Sequence, residues 1–478
     1  MPKLPPYLEI GRQNPPVRPV AERLKDFRAI EQMMTEDQLV QQSQRCQDCG
    51  IPFCHSVGCP IQNLIPDFNA RVARRQWRKA LELLHAVNSF PEITGRICPA
   101  PCEASCSLAL QGQPVAVRAI ELQIVEKGWQ EGWIKPEPAA EKSGFKIAVI
   151  GSGPSGLAAA QWLARSGHDV VVFEKSDRPG GILRYGIPDY KLEKWVLDRR
   201  IRQLEAEGVR FKLGVEAGTD LSVKYLITQF DSILLATGAG VPRDLPVPGR
   251  ELAGIHFAMP FLTQQNRINA GDSVPPEERL SAEGRRVLVI GGGDTGSDCI
   301  GTSLRQGAVG VVQIEILPRP PETRAPSNPW PQWPNVLRTS SSHEEGCERL
   351  WSVATKEFLG DDQGRVRAAR CVRLDWRHDE GNGRMIPHEI PDSEFDIPCD
   401  MVLLAMGFVH TEHGPLVRNL GLKTDARGNI LVDTNHMTSV NGVFAAGDSV
   451  RGASLVAHAI VLGRRCAQKM DEYLRNSR

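Results

Sequence analysis

Seven of the chain's 12 cysteines lie between positions 46 and 106, in two tight groups. The first reads Cys46-x2-Cys49-x4-Cys54-x4-Cys59 and the second Cys98-x3-Cys102-x3-Cys106. Such spacing in a chain whose thiols stay reduced points to metal ligation. Four thiolates suit zinc. Iron–sulfur chemistry is favoured, because the segment that follows is built for electron handling and zinc has no redox change to offer. Cys59-Pro60 and Cys98-Pro99 also match the Cys-Pro pairing of ferredoxin runs. Two four-iron clusters take about eight protein ligands, so the seven cysteines leave one place open. His55 is adjacent to Cys54, although sequence neighbours seldom both reach one cluster. The other five cysteines are scattered and read as small packing residues.

A second kind of chemistry is written twice. Ile147-Ala-Val-Ile-Gly151-Ser-Gly153-Pro-Ser-Gly156 follows an apolar run and opens a helix. Gly151 permits the tight turn, Gly153 lets backbone approach a pyrophosphate, and Gly156 allows close helix–strand packing. Glu174, 18 residues after Gly156, ends the next strand, where a carboxylate accepts from ribose hydroxyls. The second copy is Gly291-Gly-Gly293-Asp294-Thr295-Gly296, again after an apolar run. Its following strand is expected to run into Pro318-Arg319 rather than into an acid. Arg319 and Arg324 can pair with a 2′-phosphate, which favours NADPH there. Glu315 and Glu322 lie close by, and solvated loop arginines are the alternative. Thr438 to Asp448, with Gly447-Asp448 at its end, resembles the second FAD motif of two-dinucleotide flavoproteins, and Ala236-Thr237-Gly238 is a further mark of that group.

These residues require an α/β scaffold. Strands are expected at Lys146–Ile150, Asp169–Phe173, Ser232–Ala236, Arg286–Ile290, Val309–Leu317 and Met401–Ala405, alternating with helices as parallel sheets demand. A helix is expected over Ser454–Lys469, aiming its positive end at the flavin. The fold class is therefore α/β, with two nested Rossmann-like folds for FAD and NADPH, preceded by an α-helical iron–sulfur domain. The expected domains are 1–142 for the clusters, 143–240 with 428–478 for FAD, and 241–427 for NADPH. Residues 1–20 hold six prolines and read as an extended arm; Pro318–Pro334 holds seven and two tryptophans and reads as an irregular loop. Trp330 and Trp333 suit a partner contact or packing against the NADPH domain.

The 57 basic residues balance 57 acidic ones, so no global field argues for nucleic acid. The uncharged run of 18 residues, Ile147–Ala164, is broken by Gly151, Gly153, Pro154 and Gly156, so no membrane span is expected. The opening Met1-Pro-Lys-Leu-Pro-Pro6 lacks the apolar core of a signal peptide, and a cytoplasmic location is expected.

Several stretches carry a closer resemblance. They are Arg45-Cys46-Gln-Asp-Cys49-Gly-Ile-Pro-Phe-Cys54-His55, Cys59-Pro-Ile-Gln-Asn-Leu-Ile-Pro66, Arg96-Ile-Cys98-Pro-Ala-Pro-Cys102-Glu103, Gly180-Gly181-Ile-Leu-Arg-Tyr-Gly-Ile-Pro188 and Ile316-Leu-Pro-Arg319-Pro-Pro. Over essentially its whole length the chain resembles the small (β) subunits of NADPH-dependent glutamate synthases, and is similar to the N-terminal half of dihydropyrimidine dehydrogenase. The resemblance implies one [4Fe-4S] cluster on Cys46, Cys49, Cys54 and Cys106. It implies a second on Cys59, Cys98, Cys102 and Glu121, the last standing where the dehydrogenase has glutamine. It further implies FAD on the first fold, NADPH on the second, and Arg184 or Lys191 near the flavin ring, unless these two are surface cations. The implied partner is a large (α) subunit that makes L-glutamate from L-glutamine and 2-oxoglutarate. The alternatives are a related NAD(P)H-dependent flavin and iron–sulfur subunit of pyrimidine dehydrogenase or transhydrogenase type, and a zinc-stapled assembly subunit.

Overall fold

A computed structural model describes residues 4–379, 381 and 384–476. Its first part is helical. Helices Glu36–Gln44, Ile65–Ala73, Trp77–Val87, Pro91–Ile97 and Val117–Gln130 bury Phe68, Val72, Leu84, Ile120 and Ile124 between them. Helix Glu36–Gln44 starts at a capping box in which the Thr35 and Gln38 side chains satisfy each other's backbone N–H groups. The proline-rich arm packs back onto this domain. Buried Arg45 donates to the carbonyls of Ile10 (2.9 Å), Gln113 (2.7 Å) and Pro114 (2.9 Å). Met1 to Lys3 lie outside the described residues.

The strands in chain order are β1 (Lys146–Ile150), β2 (Asp169–Glu174), β3 (Arg210–Leu213), β4 (Ser232–Leu235), β5 (Ile255–Phe257), β6 (Arg286–Ile290) and β7 (Gly310–Glu315). They continue with β8 (Glu348–Trp351), β9 (Val353–Gly360), β10 (Val366–His378), β11 (Met385–Glu389), β12 (Phe395–Pro398), β13 (Met401–Leu404) and β14 (Val443–Ala445). Two parallel sheets result, ordered β14-β4-β1-β2-β3 and β5-β13-β6-β7-β8. Their central strands are apolar along nearly their whole length because both faces are covered, in the second sheet by helices on one side and by the strands β9, β10 and β12 on the other. The chain builds four strands of the first sheet, leaves to build the second, and returns for β14.

The departures from the sequence reading have local causes. Strand β7 stops at Glu315 rather than Leu317, because its partner β8 ends at Trp351 and Ser352 turns away with φ 53°. An acid therefore does end this strand, and the expectation of a run into Pro318-Arg319 is corrected. The antiparallel sheet of β9 to β12 was not anticipated. The C-terminal helix spans Val456–Asn476 and lies on helix Pro154–Arg165 at Gly463, where a Cβ would come within 2.1 Å of the Ser155 carbonyl oxygen.

Ion pairs, one of them fully buried, join the three parts. Arg200, on helix Lys194–Ala206, grips Glu92 of the helical domain at 2.6 and 2.7 Å. Lys191 Nζ reaches Asp298 of the second fold at 2.5 Å.

Candidate redox centres

The two cysteine groups interleave. Cys46, Cys49, Cys54 and Cys106 line one cavity of about 190 Å³, together with Phe53, Asn69 and Trp330. Cys59, Cys98, Cys102 and Glu121 line a second, tighter one of about 20 Å³. Gly58 lets the groups meet, since a Cβ there would fall 2.6 Å from Cys102 Cα. The loops are bent hard to do this. Three of the seven non-glycine residues with positive φ among the described residues, Asp48, Gln62 and Ala100, sit in the cysteine loops. Strain gathered at one place is characteristic of a ligand-holding site.

Each cavity is lined by cysteine thiols, the ligand type that [4Fe-4S] clusters take. Burial pushes the Cys54 and Cys98 thiols up to about 12, the latter despite Arg118, and Cys59 to about 11. Ligation to a metal group would displace those protons.

Glu121 projects from helix Val117–Gln130 and is buried. Its carboxylate accepts from Asn63 Nδ2 (2.8 Å), Asn88 Nδ2 (3.3 Å) and the Thr94 hydroxyl. Burial raises its pKa to about 7 despite those donors. His55 instead turns its Nδ1 to the Asn63 carbonyl at 3.0 Å.

The two glycine motifs fold alike. Gly151 has φ 100° and Gly291 φ 117°, and Cβ atoms there would strike the Ala236 and Ala405 carbonyls at 2.5 and 2.4 Å. Gly156 and Gly296 press on the Gly151 and Gly291 carbonyls, so neither tolerates a side chain. Gly153 and Gly293 face open space where a ligand could approach. In the first motif Glu174 accepts from Ser152 N (2.9 Å) and Ser152 Oγ (2.6 Å), fixing the turn. Ser155 Oγ is buried without a protein partner, as suits a residue reserved for a bound group. Gly181, with φ 52°, packs on Gly153, and Gly447 on Ser155. Asp448 accepts from Ser454 Oγ at 2.8 Å and is raised by burial. Thr237 Oγ1 lies 3.2 Å from Thr411 Oγ1, where the chain crosses back from the second fold.

In the second motif the Glu315 carboxylate fills the space beside Gly292, within 1.2 Å of where a Cβ would sit. Asp294 and Thr295 open helix Asp294–Arg305. Arg319 and Arg349 flank the Trp351 ring at 5.6 and 4.8 Å, beside Glu315, whose carboxyl burial pushes up and Arg349 pulls down. Arg324 donates to Gln332 O (2.7 Å) and Asn328 O (3.2 Å) within its own loop. Arg349 lies on the next strand over rather than near the motif, so its place beside Glu315 shows only once β8 is known to pair with β7. Arg184 and Lys191 are not surface cations: Arg184 is 8% exposed and paired with Asp198, and Lys191 is held by Asp298.

Comparison with known proteins decides the family. Residues 145–463 match the pyridine nucleotide-disulphide oxidoreductase family, and residues 23–133 match dihydropyrimidine dehydrogenase domain II, 4Fe-4S cluster. The "Glutamate synthase [NADPH] small chain" of Mycobacterium tuberculosis is 50% identical over 98% of this chain and 94% of its own length. The chain belongs to the glutamate synthase small-chain family. It is accordingly a pyridine-nucleotide oxidoreductase with a 4Fe-4S domain. The Bacillus subtilis small chain is 40% identical over 98% of both chains. "Glutamate synthase [NADH]" of Schizosaccharomyces pombe is 45% identical over 98% of this chain but only 23% of its own length. FprA of Mycobacterium tuberculosis, solved in complex with NADPH, shares the fold at TM-score 0.55 and 19% identity, over 70% of this chain and 85% of FprA. No helix among the described residues is long and apolar enough to cross a membrane.

Proposed function

We propose that this chain is the electron-input subunit of a glutamate synthase. It oxidises NADPH and delivers the electrons to a large subunit that makes L-glutamate from L-glutamine and 2-oxoglutarate, in the cytosol. The observation that carries the reading is a shared wall. Ala457, in the first turn of the C-terminal helix of the first fold, lines the cysteine pocket of Cys59, Cys98 and Cys102. That pocket therefore abuts the first fold, as a path for electrons between a flavin there and a cluster would require.

In this reading Gly151, Gly153, Gly156, Gly181, Glu174, Thr237, Gly447 and Asp448 hold FAD. Gly291, Gly293, Asp294, Thr295 and Gly296 hold NADPH, with Arg319 and Arg349 on its 2′-phosphate. Cys46, Cys49, Cys54 and Cys106 hold one [4Fe-4S] cluster, and Cys59, Cys98, Cys102 and Glu121 the other. When bound, the flavin supplies the exchange between two-electron and one-electron chemistry that links a nicotinamide to clusters. The protein's own part is positional. Lys191 and Asp298 lock the flavin-side loop to the helix that opens the nucleotide site, and Asn63, Asn88 and Thr94 orient the Glu121 carboxylate.

Co-purification with a candidate large subunit, followed by NADPH oxidation that depends on glutamine and 2-oxoglutarate, tests the assignment. About eight irons and one flavin per chain are expected. Dye reduction by NADPH with no large subunit bound would refute the glutamate synthase reading.

A further inference from the structure

The loop between β7 and β8 leaves the nucleotide-binding fold and ends on the cysteine domain. Trp330 Nε1 donates to the Cys106 carbonyl at 3.3 Å, and Ser105 Oγ donates to the Pro331 carbonyl at 2.7 Å. The indole meets the Phe53 ring edge-on, with centroids 4.8 Å apart, and lines the cavity of Cys46, Cys49, Cys54 and Cys106. The loop arrives in a fixed shape. Arg324 ties two of its carbonyls together, and the Asn328 side chain accepts from Asn335 N (2.8 Å) and donates to the Trp333 carbonyl (3.1 Å). The loop's arginine and its tryptophan–proline run thus hold its shape and its contact with the cysteine domain.

We propose that Trp330 is the cover of the outer cysteine pocket, and that through it the nucleotide fold sets how far water reaches a cluster held there. The inference rests on the cluster reading of Cys46, Cys49, Cys54 and Cys106. Elsewhere the mouth of this cavity is thinly protected: Ile51, which also lines it, is 73% exposed. An indole and a phenyl ring on one side form the apolar shell that controls solvent access to a redox centre. Reduction adds negative charge to a thiolate-ligated cluster, and water stabilises that charge. Removing the cover therefore makes the outer cluster easier to reduce, while the inner one, walled by Ala457 and Arg118, is unaffected. Trp330 acts here as a positioning residue and touches no substrate.

The test uses the purified holoprotein, compared as wild type, Trp330→Ala and Trp330→Phe. Redox titration followed by electron paramagnetic resonance reads each cluster's potential, and iron release to a ferrous chelator reads its exposure. In Trp330→Ala one cluster should shift up by a tenfold change in reduced fraction, about 59 mV for one electron. About half the iron should leave roughly tenfold faster. Trp330→Phe, which keeps an aromatic cover but loses the bond to Cys106, should stay near wild type in both. If alanine costs iron during purification, Trp330→Leu should show the same upward shift at smaller size. Unchanged potentials and release rates in Trp330→Ala, or equal shifts in both clusters, overturn the cover. Wild-type protein with zinc or without iron overturns the cluster reading itself, a distinct outcome.

Discussion

Replacing Arg200 by methionine tests what holds the cysteine domain against the flavin-type fold. The guanidinium bonds both oxygens of Glu92, at 2.6 and 2.7 Å, and the side chains are 2% and 0% exposed. It also donates to Gln203 Oε1 at 2.6 Å and lies 5.1 Å from the Trp129 ring. Methionine would fill much of the same volume but leave the Glu92 carboxylate buried without its cation. Breaking a pair this way costs about 3–5 kcal/mol, chiefly the penalty of the stranded charge. The change belongs to one interface, so a global melting curve is a poor gauge of it. Amide exchange of helix Pro91–Ile97 reads local opening instead. It should quicken by roughly two to three and a half orders of magnitude at 1.4 kcal/mol per decade. The double variant Arg200→Met/Glu92→Leu removes both charges and should recover most of the loss. A single variant that loses less than about 1 kcal/mol, or a double no better than the single, would refute the argument that charge pairing rather than packing carries the contact.

Arg349→Ala should raise KM for NADPH about tenfold to a hundredfold, the worth of one charge-assisted phosphate contact, and leave KM for NADH nearly unchanged. Equal effects on both nucleotides in dye-reduction kinetics would remove Arg349 from the 2′-phosphate site. Gly156→Ala places a Cβ 2.0 Å from the Gly151 carbonyl oxygen, a backbone atom that cannot swing aside. The purified variant should lack the visible absorbance of flavin; full flavin occupancy would sink this reading of the turn. His85 has a buried, unpartnered Nε2, and burial lowers its pKa from 6.5 to about 3. Between those values the unfolded chain binds the proton and the folded one does not, so stability falls as pH drops below 6.5. The loss should approach about 1.4 kcal/mol per pH unit in urea titrations, and His85→Gln should flatten the slope; a variant slope equal to wild type counts against it.

How far such residues could be read beforehand depended on whether their role is local. Gly151, Gly153 and Gly156 announce themselves because a tight turn, an open approach and a close helix contact fall within six residues of each other. The cysteines do the same through density, and the strands β1, β4, β6 and β13 through unbroken apolar runs. Roles that need two distant segments left weaker signals. Glu121 is one polar residue on a helix face, and nothing in its neighbourhood shows that Asn63, Asn88 and Thr94 will surround it. Arg349 belongs to the β7 end only because β8 pairs alongside, and β8, like β9 to β12, lacks the apolar continuity of a doubly covered strand. Arg324 shows a different limit. Its closeness in sequence to the second motif suggests a phosphate contact, whereas its guanidinium is bonded to the Asn328 and Gln332 carbonyls of its own loop, a pairing that no local pattern announces. The same loop carries Trp330 to the Cys106 carbonyl, so a proline-rich strap leaving β7 accounts both for the bonds that Arg324 makes and for the covered cysteine pocket.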